Sequence, residues 1–308
     1  MDKILERALS IIKESYTETK FEDFSIVGSG FGSFVIESNE GIIFRIAKNL
    51  ETAKKYVMEC RVLPQIMKFL DLNIPNPIWH MFSATSTPYG IMAYRKLKGN
   101  PINPIIFNKI NKMNRSVIAK EVANFIVSIH QVPYEKLDFE DVPKIKTDKK
   151  NLAILRESTL EFLKRKLTAG EYRKMEDWWE EILSDDNLFH YKPTLCHGDT
   201  WYENILVDDD YLHVVGVIDF SNMMIGDPAV DLAPQLYLGK EFYDVVLHEY
   251  TKVFDDDRTI DQRIKRHQEL REIFGLQYVI ENNQIDEYED SISKIRYRII
   301  LSQEFGGR

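Results

Sequence analysis

The sequence predicts an α+β fold of two lobes: an N-terminal antiparallel sheet of five strands with one key helix, and a mainly helical C-terminal lobe. Short alternating apolar runs fill most of the first hundred residues, and amphipathic helices of ordinary length fill the rest. Between them, "KGNPINPI" has the glycine and proline content of a linker. At 308 residues, with 44% hydrophobic and 29% charged side chains, the chain can bury a core in each of two lobes that share a cleft. The boundary is expected near residue 98, giving lobes over 1–97 and 98–308.

"MDKILERALSIIKESY" reads as an amphipathic helix interrupted by charges, not as a signal peptide. "FSIVGSGFGSFVIES" alternates apolar residues on either side of a glycine cluster, and "SNEG" turns the chain into "GIIFRIAK": a hairpin with a flexible tip, then a third strand. "ETAKKYVMECRVL" has helical spacing, with Pro64 expected to end or kink it. "NIPNPIWHMF" and "PYGIMAYRKLKG" read as two more strands, joined by the turn "SATSTPYG". Beyond the linker, "SVIAKEVANFIVSIH", "LAILRESTLEFLKRKL" and "EYRKMEDWWEEIL" are amphipathic helices. Two β-like runs, "NILVDD" and "HVVGVIDF", interrupt the helical half, and helices resume from about Asp231.

The formal net charge of −9 argues against a nucleic-acid surface and leaves room for a cationic ligand. Residues 1–100 hold 13 Lys+Arg against 11 Asp+Glu and the remainder 27 against 38, so the acid lies in the later lobe. The two cysteines, Cys60 and Cys196, stand far apart and suggest neither a disulfide framework nor a zinc site. No apolar run approaches the roughly 20 residues of a membrane span. The expectation is a cytoplasmic, monomeric protein with neither nucleic-acid nor membrane partners.

The chemistry concentrates in "CHGDTWYENILV", where Asp199 and Asn204 stand five residues apart between apolar runs. In phosphoryl transfer to an alcohol, a carboxylate positions the hydroxyl and accepts its proton, while alignment and charge neutralisation supply most of the rate. Asn204 would reach a magnesium ion from the same loop, and His197 would brace it. Fifteen residues after Asn204, Asp219 in "VIDFSN" closes an apolar strand, where a second metal-holding carboxylate belongs; a strand-capping aspartate is the plainer alternative. Gly28, Gly30 and Gly32 lie at the tip of an expected hairpin, a placement that counts against a Rossmann turn and a Walker A loop, whose Gly-Lys-Ser/Thr is also missing, and fits a flap over phosphates or an ordinary turn. Strand alternation puts Ile43, Arg45 and Ala47 on one face, so that Arg45 faces the phosphates if Ile43 lines an adenine pocket, with Glu59 on the next helix to orient it. A solvated cation and a helix-surface acid is the competing reading for that pair. In "GDPAVDLA", Asp227 either caps the helix or braces the loop, and Asp231 is structural.

Taken in order, "GSGFGS", "IIFRIAK", "MECRVL", "AYRKLKG", "CHGDTWYENIL", "GVIDF" and "GDPAVDLA" resemble the aminoglycoside phosphotransferase family over roughly residues 20–235, in particular its 2″-phosphotransferases. The resemblance implies a bilobal, protein-kinase-like fold, ATP or GTP as phosphate donor, and Mg²⁺. It implies Asp199 as base, Asn204 and Asp219 as metal ligands, and Arg45 on the nucleotide phosphates with Glu59 as its partner. Ser29, Gly30, Phe31 and Ile43 would line the nucleotide site, and the backbone of Ala93, Tyr94, Arg95 and Leu97 would meet the purine edge. Tyr278 and Glu281 resemble positions near the substrate. The implied reaction is phosphorylation of a hydroxyl on an aminoglycoside, with antibiotic resistance as the role. Choline, a macrolide, a sugar or an amino alcohol are alternative acceptors, and a non-catalytic nucleotide-binding module is the alternative of another class. The segment after Asp219 reads "FSNMM", where the 2″-phosphotransferases carry a glycine and another acid.

Overall fold

Helix α1 (Lys3–Ser15) begins where the Asp2 carboxylate accepts the Ile4 N–H, and its buried Leu5, Ala8, Leu9 and Ile12 recur at helical spacing. That stripe covers one face of a five-stranded antiparallel sheet: β1 (Phe24–Ser29), β2 (Ser33–Ser38), β3 (Ile42–Ala47), β4 (Pro77–Phe82) and β5 (Gly90–Arg95), ordered β1-β2-β3-β5-β4. The computed structural model describes residues 2–16, 23–30, 32–145 and 148–301. Strand alternation divides β3: Ile42, Phe44 and Ile46 join Leu5, Ile12 and Ile36 under α1, while Ile43 and Ala47 join Met92, Tyr94 and Tyr56 on the opposite face.

That opposite face receives α2 (Leu50–Ile66), whose first turn is capped by the Asn49 side chain accepting the Thr52 N–H. The helix ends two residues past Pro64, close to the end that the sequence suggested. It continues to Ile66, with Pro64 in its last turn and Leu63 and Ile66 fully buried beside it. One lost N–H near a helix end costs less than exposing those two side chains would. Ala53 and Tyr56 pack under the sheet, whereas Met58, Val62, Leu63 and Ile66 belong to the main core of the second lobe, so α2 is shared by both lobes.

Past β5 the chain forms the short strand β6 (Asn100–Pro101) and then α3 (Pro104–Phe107), α4 (Lys112–His130), α5 (Lys149–Leu163) and α6 (Ala169–Ser184). Strands β7 (Thr194–Cys196), β8 (Ile205–Val207), β9 (Val214–Val217) and β10 (Met224–Gly226) follow, then helices α7 (Ala229–Leu232), α8 (Lys240–Thr251), α9 (Ile260–Glu281) and α10 (Tyr288–Ile295). "KGNPINPI", expected as linker, contributes β6, which pairs with β8 (Asn100↔Val207) and ties this segment to the second lobe. Two cores fill that lobe. One gathers α4, α8 and β7–β9 around Ile118, Ile126 and Phe220; the other gathers α5, α6, α9 and α10 around Trp178, Trp179 and Ile273. Among the described residues no helix is long and apolar enough to cross a membrane.

Helix α9 is held against the β10–α7 turn by a buried ion pair. Arg263 donates from Nε to both Asp227 oxygens at 3.1 and 3.0 Å and from its terminal nitrogens to Asp257. His267, one turn on, donates to Asp227 at 3.0 Å. Burial alone would raise the Asp227 carboxyl, but His267 and Arg263 hold it below the usual range. Arg263→Met strips a buried carboxylate of its main partner and is expected to cost about 3–5 kcal/mol in urea unfolding, and adding Asp227→Asn should recover part of that loss.

Candidate active site

The loop after β7 is positioned by strand pairing below and a carboxylate behind. β7 is buried throughout and pairs with β10 (Leu195↔Ile225, Cys196↔Met224). Gly198 then takes φ +81°, and a Cβ there would collide with the Asn222 carbonyl, so both conformation and close approach require glycine. Behind the loop, Asp231 accepts the His197 and Gly198 N–H groups, each at 2.8 Å, and the His130 Nε2 at 3.1 Å. Thr200 donates its hydroxyl to the Asp231 carbonyl at 2.6 Å, and Gln235 donates to the Thr200 carbonyl at 2.9 Å. The loop is therefore braced by Asp231. Asp227, expected among the bracing residues, directs its carboxylate to Arg263, His267 and the Ala229 N–H instead, so that only its helix-starting role holds. Three residues separate the two aspartates across the entry to α7, enough to turn one toward the loop and the other toward α9.

His197 is fully buried and braces the loop through its ring: Nε2 donates to the Ile218 carbonyl at 3.1 Å, and Nδ1 accepts the Asp199 N–H at 3.2 Å. Those partners define a neutral imidazole with its proton on Nε2, packed 4.4 Å from the Phe220 ring. Asn204 donates from Nδ2 to the Asp199 carbonyl at 2.9 Å and to its carboxylate at 3.3 Å, leaving Oδ1 as an acceptor for a cation. The Asn204 carbonyl accepts the Ile218 N–H at 2.9 Å, which brings the end of β9 beside the loop. Burial raises the Asp199 carboxyl above the ordinary aspartate range; the nearby Arg271 guanidinium pulls the other way, and Asp219 adds to the rise.

Asp219 lies two residues past β9 in a left-handed conformation (φ 61°, ψ 69°), uncommon for a residue other than glycine. Its Oδ1 accepts from the Ser221 hydroxyl at 2.8 Å and from Arg45 Nη2 at 3.0 Å. Burial opposes its charge, but Arg45 and Ser221 keep its carboxyl below the usual range. Arg45 also donates from Nη1 to both Glu59 oxygens at 3.0 and 2.9 Å and lies over the Tyr56 ring at 4.7 Å. Both side chains are buried, so the reading of Arg45 and Glu59 as separate surface charges does not hold. Burial lifts Glu59 to about 7 against the pull of Arg45, whereas Arg45, with two acids on it, is held more basic than usual despite its own burial.

The other residues expected at a nucleotide site lie on the sheet and its hairpin tip. Ile43 and Tyr94 are cross-strand partners on the Arg45 face, and Ala93, opposite Phe44, points to the α1 side. Ala93 and Tyr94 lie within β5, flanked by β3 and β4; Arg95 ends the strand, exposed, and Leu97 follows it beside Gly216. Ser29 and Gly30 reach the hairpin tip, where Lys48 donates to the Gly30 carbonyl at 2.6 Å and sits over the Phe34 ring at 3.8 Å. Phe31 lies outside the described residues. Lys48 was not anticipated as a tether, because strand alternation sends it away from Arg45 and its partner comes from the hairpin two strands away.

Against Asp199 lies a cavity of about 510 Å³, lined among others by Asn222, His267, Arg271, Phe274 and Tyr278. The last four follow one stripe of α9 at spacings of four, three and four residues, a signal that becomes readable once the inward face of the helix is known. Tyr278 thus lines the same cavity as Asp199. Glu281 is not brought to the cavity; it accepts from Gln277 at 2.7 Å on the exposed side of the helix. The acidity of the later half is not focused here either, since Asp199 is the one carboxylate among the lining residues.

A family model described as "Phosphotransferase enzyme family" matches residues 23–261. Among solved structures, the chain is similar to the GDP and kanamycin complex of APH(2″)-IIIa, with TM-score 0.85, 19% identity, and 95% of this chain and 98% of that one covered. It is similar to the streptomycin–ATP–APH(2″)-IIa ternary complex, with TM-score 0.72, 18% identity, and 96% of each chain covered. It is also similar to the macrolide 2′-phosphotransferase MphH from Brachybacterium faecium, with TM-score 0.67, 18% identity, and 93% of this chain and 96% of that one covered. These likenesses establish the bilobal α+β fold.

The collision at Gly198 gives a measurable expectation. Gly198→Ala should lower stability by about 1–3 kcal/mol in urea unfolding, whereas Gly170→Ala, in open space at the start of α6, should change it by no more than about 1 kcal/mol.

Proposed function

The chain belongs to the phosphotransferase enzyme family, and from that premise we propose that it transfers the γ-phosphate of ATP or GTP to a hydroxyl of a small molecule held against Asp199. The observation that carries this reading is the convergence of Asp199, Asn204, Asp219, Arg45 and Glu59 at one cleft, from two strand ends, a strand of the sheet and α2.

Asp199 aims at the acceptor hydroxyl and takes its proton as the new oxygen–phosphorus bond forms and the bond from the γ-phosphorus to the β–γ bridging oxygen breaks, releasing the nucleoside diphosphate; its raised proton affinity suits it to that task. The Asn204 amide holds the carboxylate, and the neutral His197 fixes the peptide that carries it. Arg45, oriented by Glu59, presents a planar guanidinium to the nucleotide phosphates. Asn204 Oδ1 and the Asp219 carboxylate are hard oxygen donors suited to Mg²⁺. When bound, the ion neutralises charge on the phosphate oxygens. The Gly30 tip tethered by Lys48 covers the phosphates, and the segment from Ala93 to Leu97 meets the purine edge.

For the acceptor, proteins of the same fold solved with kanamycin and streptomycin, and a macrolide phosphotransferase of that fold, supply two antibiotic classes to be tested beside other hydroxylated molecules. Mass spectrometry of reactions with Mg²⁺ and either ATP or GTP, over aminoglycosides, macrolides and hydroxylated metabolites, tests the reading through a phosphate adduct. Asp199→Asn should reduce turnover by about 100-fold or more while leaving nucleotide affinity largely unchanged. Turnover requires ionised Asp199, whose proton affinity is raised. The acidic limb of the pH–rate profile should therefore lie above 3.8, with activity lost as pH falls through it. A limb at or below that value would assign the base elsewhere.

A further inference from the structure

We propose that the acceptor selected by this cavity carries an anionic group, a carboxylate or a phosphate, received by Arg271, and that this side chain selects against polycations. The inference rests on the reading that Asp199 addresses the acceptor hydroxyl.

Three arginines occupy the inner length of α9 and differ in how they are satisfied. Arg263 is paired with Asp227 and Asp257, and Arg266 with Glu181 and Glu269. Arg271 lines the cavity, is exposed, and has no carboxylate within ion-pair distance among the described residues. Its guanidinium instead lies 4.3 Å from the centroid of the Trp201 ring and 5.6 Å from that of Tyr237. The two rings pack edge to face at 4.4 Å, and Arg298 covers Tyr237 at 4.6 Å. Contact with an aromatic face restrains a guanidinium and leaves its in-plane N–H edge available, the form in which arginine recognises carboxylate or phosphate through two parallel hydrogen bonds.

The platform is registered to the chemistry. Trp201 stands two residues after Asp199, and Thr200 between them is locked by Asp231 and Gln235. Arg271 and Asp199 therefore face one cavity from a braced loop and a braced helix, a cation for one end of the acceptor and a base for its hydroxyl. Phe274 and Tyr278, further along the same stripe, offer ring surface to the carbon skeleton. Among the residues lining the cavity a polycation would meet one carboxylate, already assigned to the hydroxyl proton, and the Arg271 guanidinium beside it, with Glu51 and Glu287 further out beyond Tyr278.

A charge series on one six-carbon polyol tests this: glucitol, 1-amino-1-deoxyglucitol, gluconate and glucitol 6-phosphate, with kanamycin as the polycation. Dissociation constants would be measured by ligand-observed NMR with a non-hydrolysable nucleotide on the native chain, Arg271→Gln and Arg271→Glu, with thermal melting to verify folding. At least one anionic polyol should bind about tenfold more tightly than glucitol or its amine. That preference should disappear in Arg271→Gln and reverse toward the amine and kanamycin in Arg271→Glu. The gluconate and phosphate arms tell the two anion classes apart. Equal or tighter binding of the cationic probes by the native chain, a preference indifferent to Arg271, or no binding of either anion would overturn the inference. Parallel turnover assays on native chain and Asp199→Asn keep the two readings separate. Arg271-dependent anion binding without Asp199-dependent transfer would sink the kinase reading alone, and transfer to kanamycin that ignores Arg271 would sink the acceptor class alone.

Discussion

The guanidinium of Arg45 holds two acids at once, and the arrangement of the cleft depends on it. Glu59 comes from α2 and Asp219 from beyond β9, so one side chain of the sheet records the relative position of three elements. Removing these charges from water is costly, and the attraction between them compensates only with good geometry and further hydrogen bonds. Here the Tyr56 ring lies under the cation and the Ser221 hydroxyl binds Asp219. The left-handed backbone at Asp219 fits the same constraint, because it turns the carboxylate back toward the sheet instead of continuing the strand.

The acceptor side is rigid for a different reason. Asp231 gathers two backbone N–H groups and a histidine at a fully buried position, so the loop bearing Asp199 has few alternatives to its observed path. Asp227 does the equivalent for α9 through Arg263 and His267. Two aspartates of one short segment thus fix the two walls between which an acceptor would lie.

Much of this was legible from residue order. Alternation in "IIFRIAK" placed Arg45 opposite the apolar face of β3, and the spacing in "CHGDTWYENILV" singled out Asp199 and Asn204, because both are local properties of a strand or a tight loop. What depends on the direction of side chains across the fold was not legible. Asp227 and Asp231 are chemically identical in sequence, and the entry to α7 decides which one reaches the loop. Strands β6, β7 and β10 are two or three residues long, too short for periodicity to register. The net charge of the later half gave the correct sum but no location, and the cavity wall holds a cation where that sum suggested acid. Pro64 marked the end of α2 to within two residues, the difference being set by burial around it, which outweighs one missing hydrogen bond.

Helix α2 belongs to both cores, its first turns under the sheet and its last turns among Ile118, Ile126 and Phe220. The molecule therefore has no seam along which it can be cut. Severing the chain after residue 97 would leave the N-terminal fragment with Met58, Val62, Leu63 and Ile66 as a bare oily flank, and the remainder with a trough of matching shape. The two pieces would behave as complementary halves that need each other to become soluble rather than as portable modules. The cleft where Arg45 meets Glu59 and Asp219 borders that shared interior.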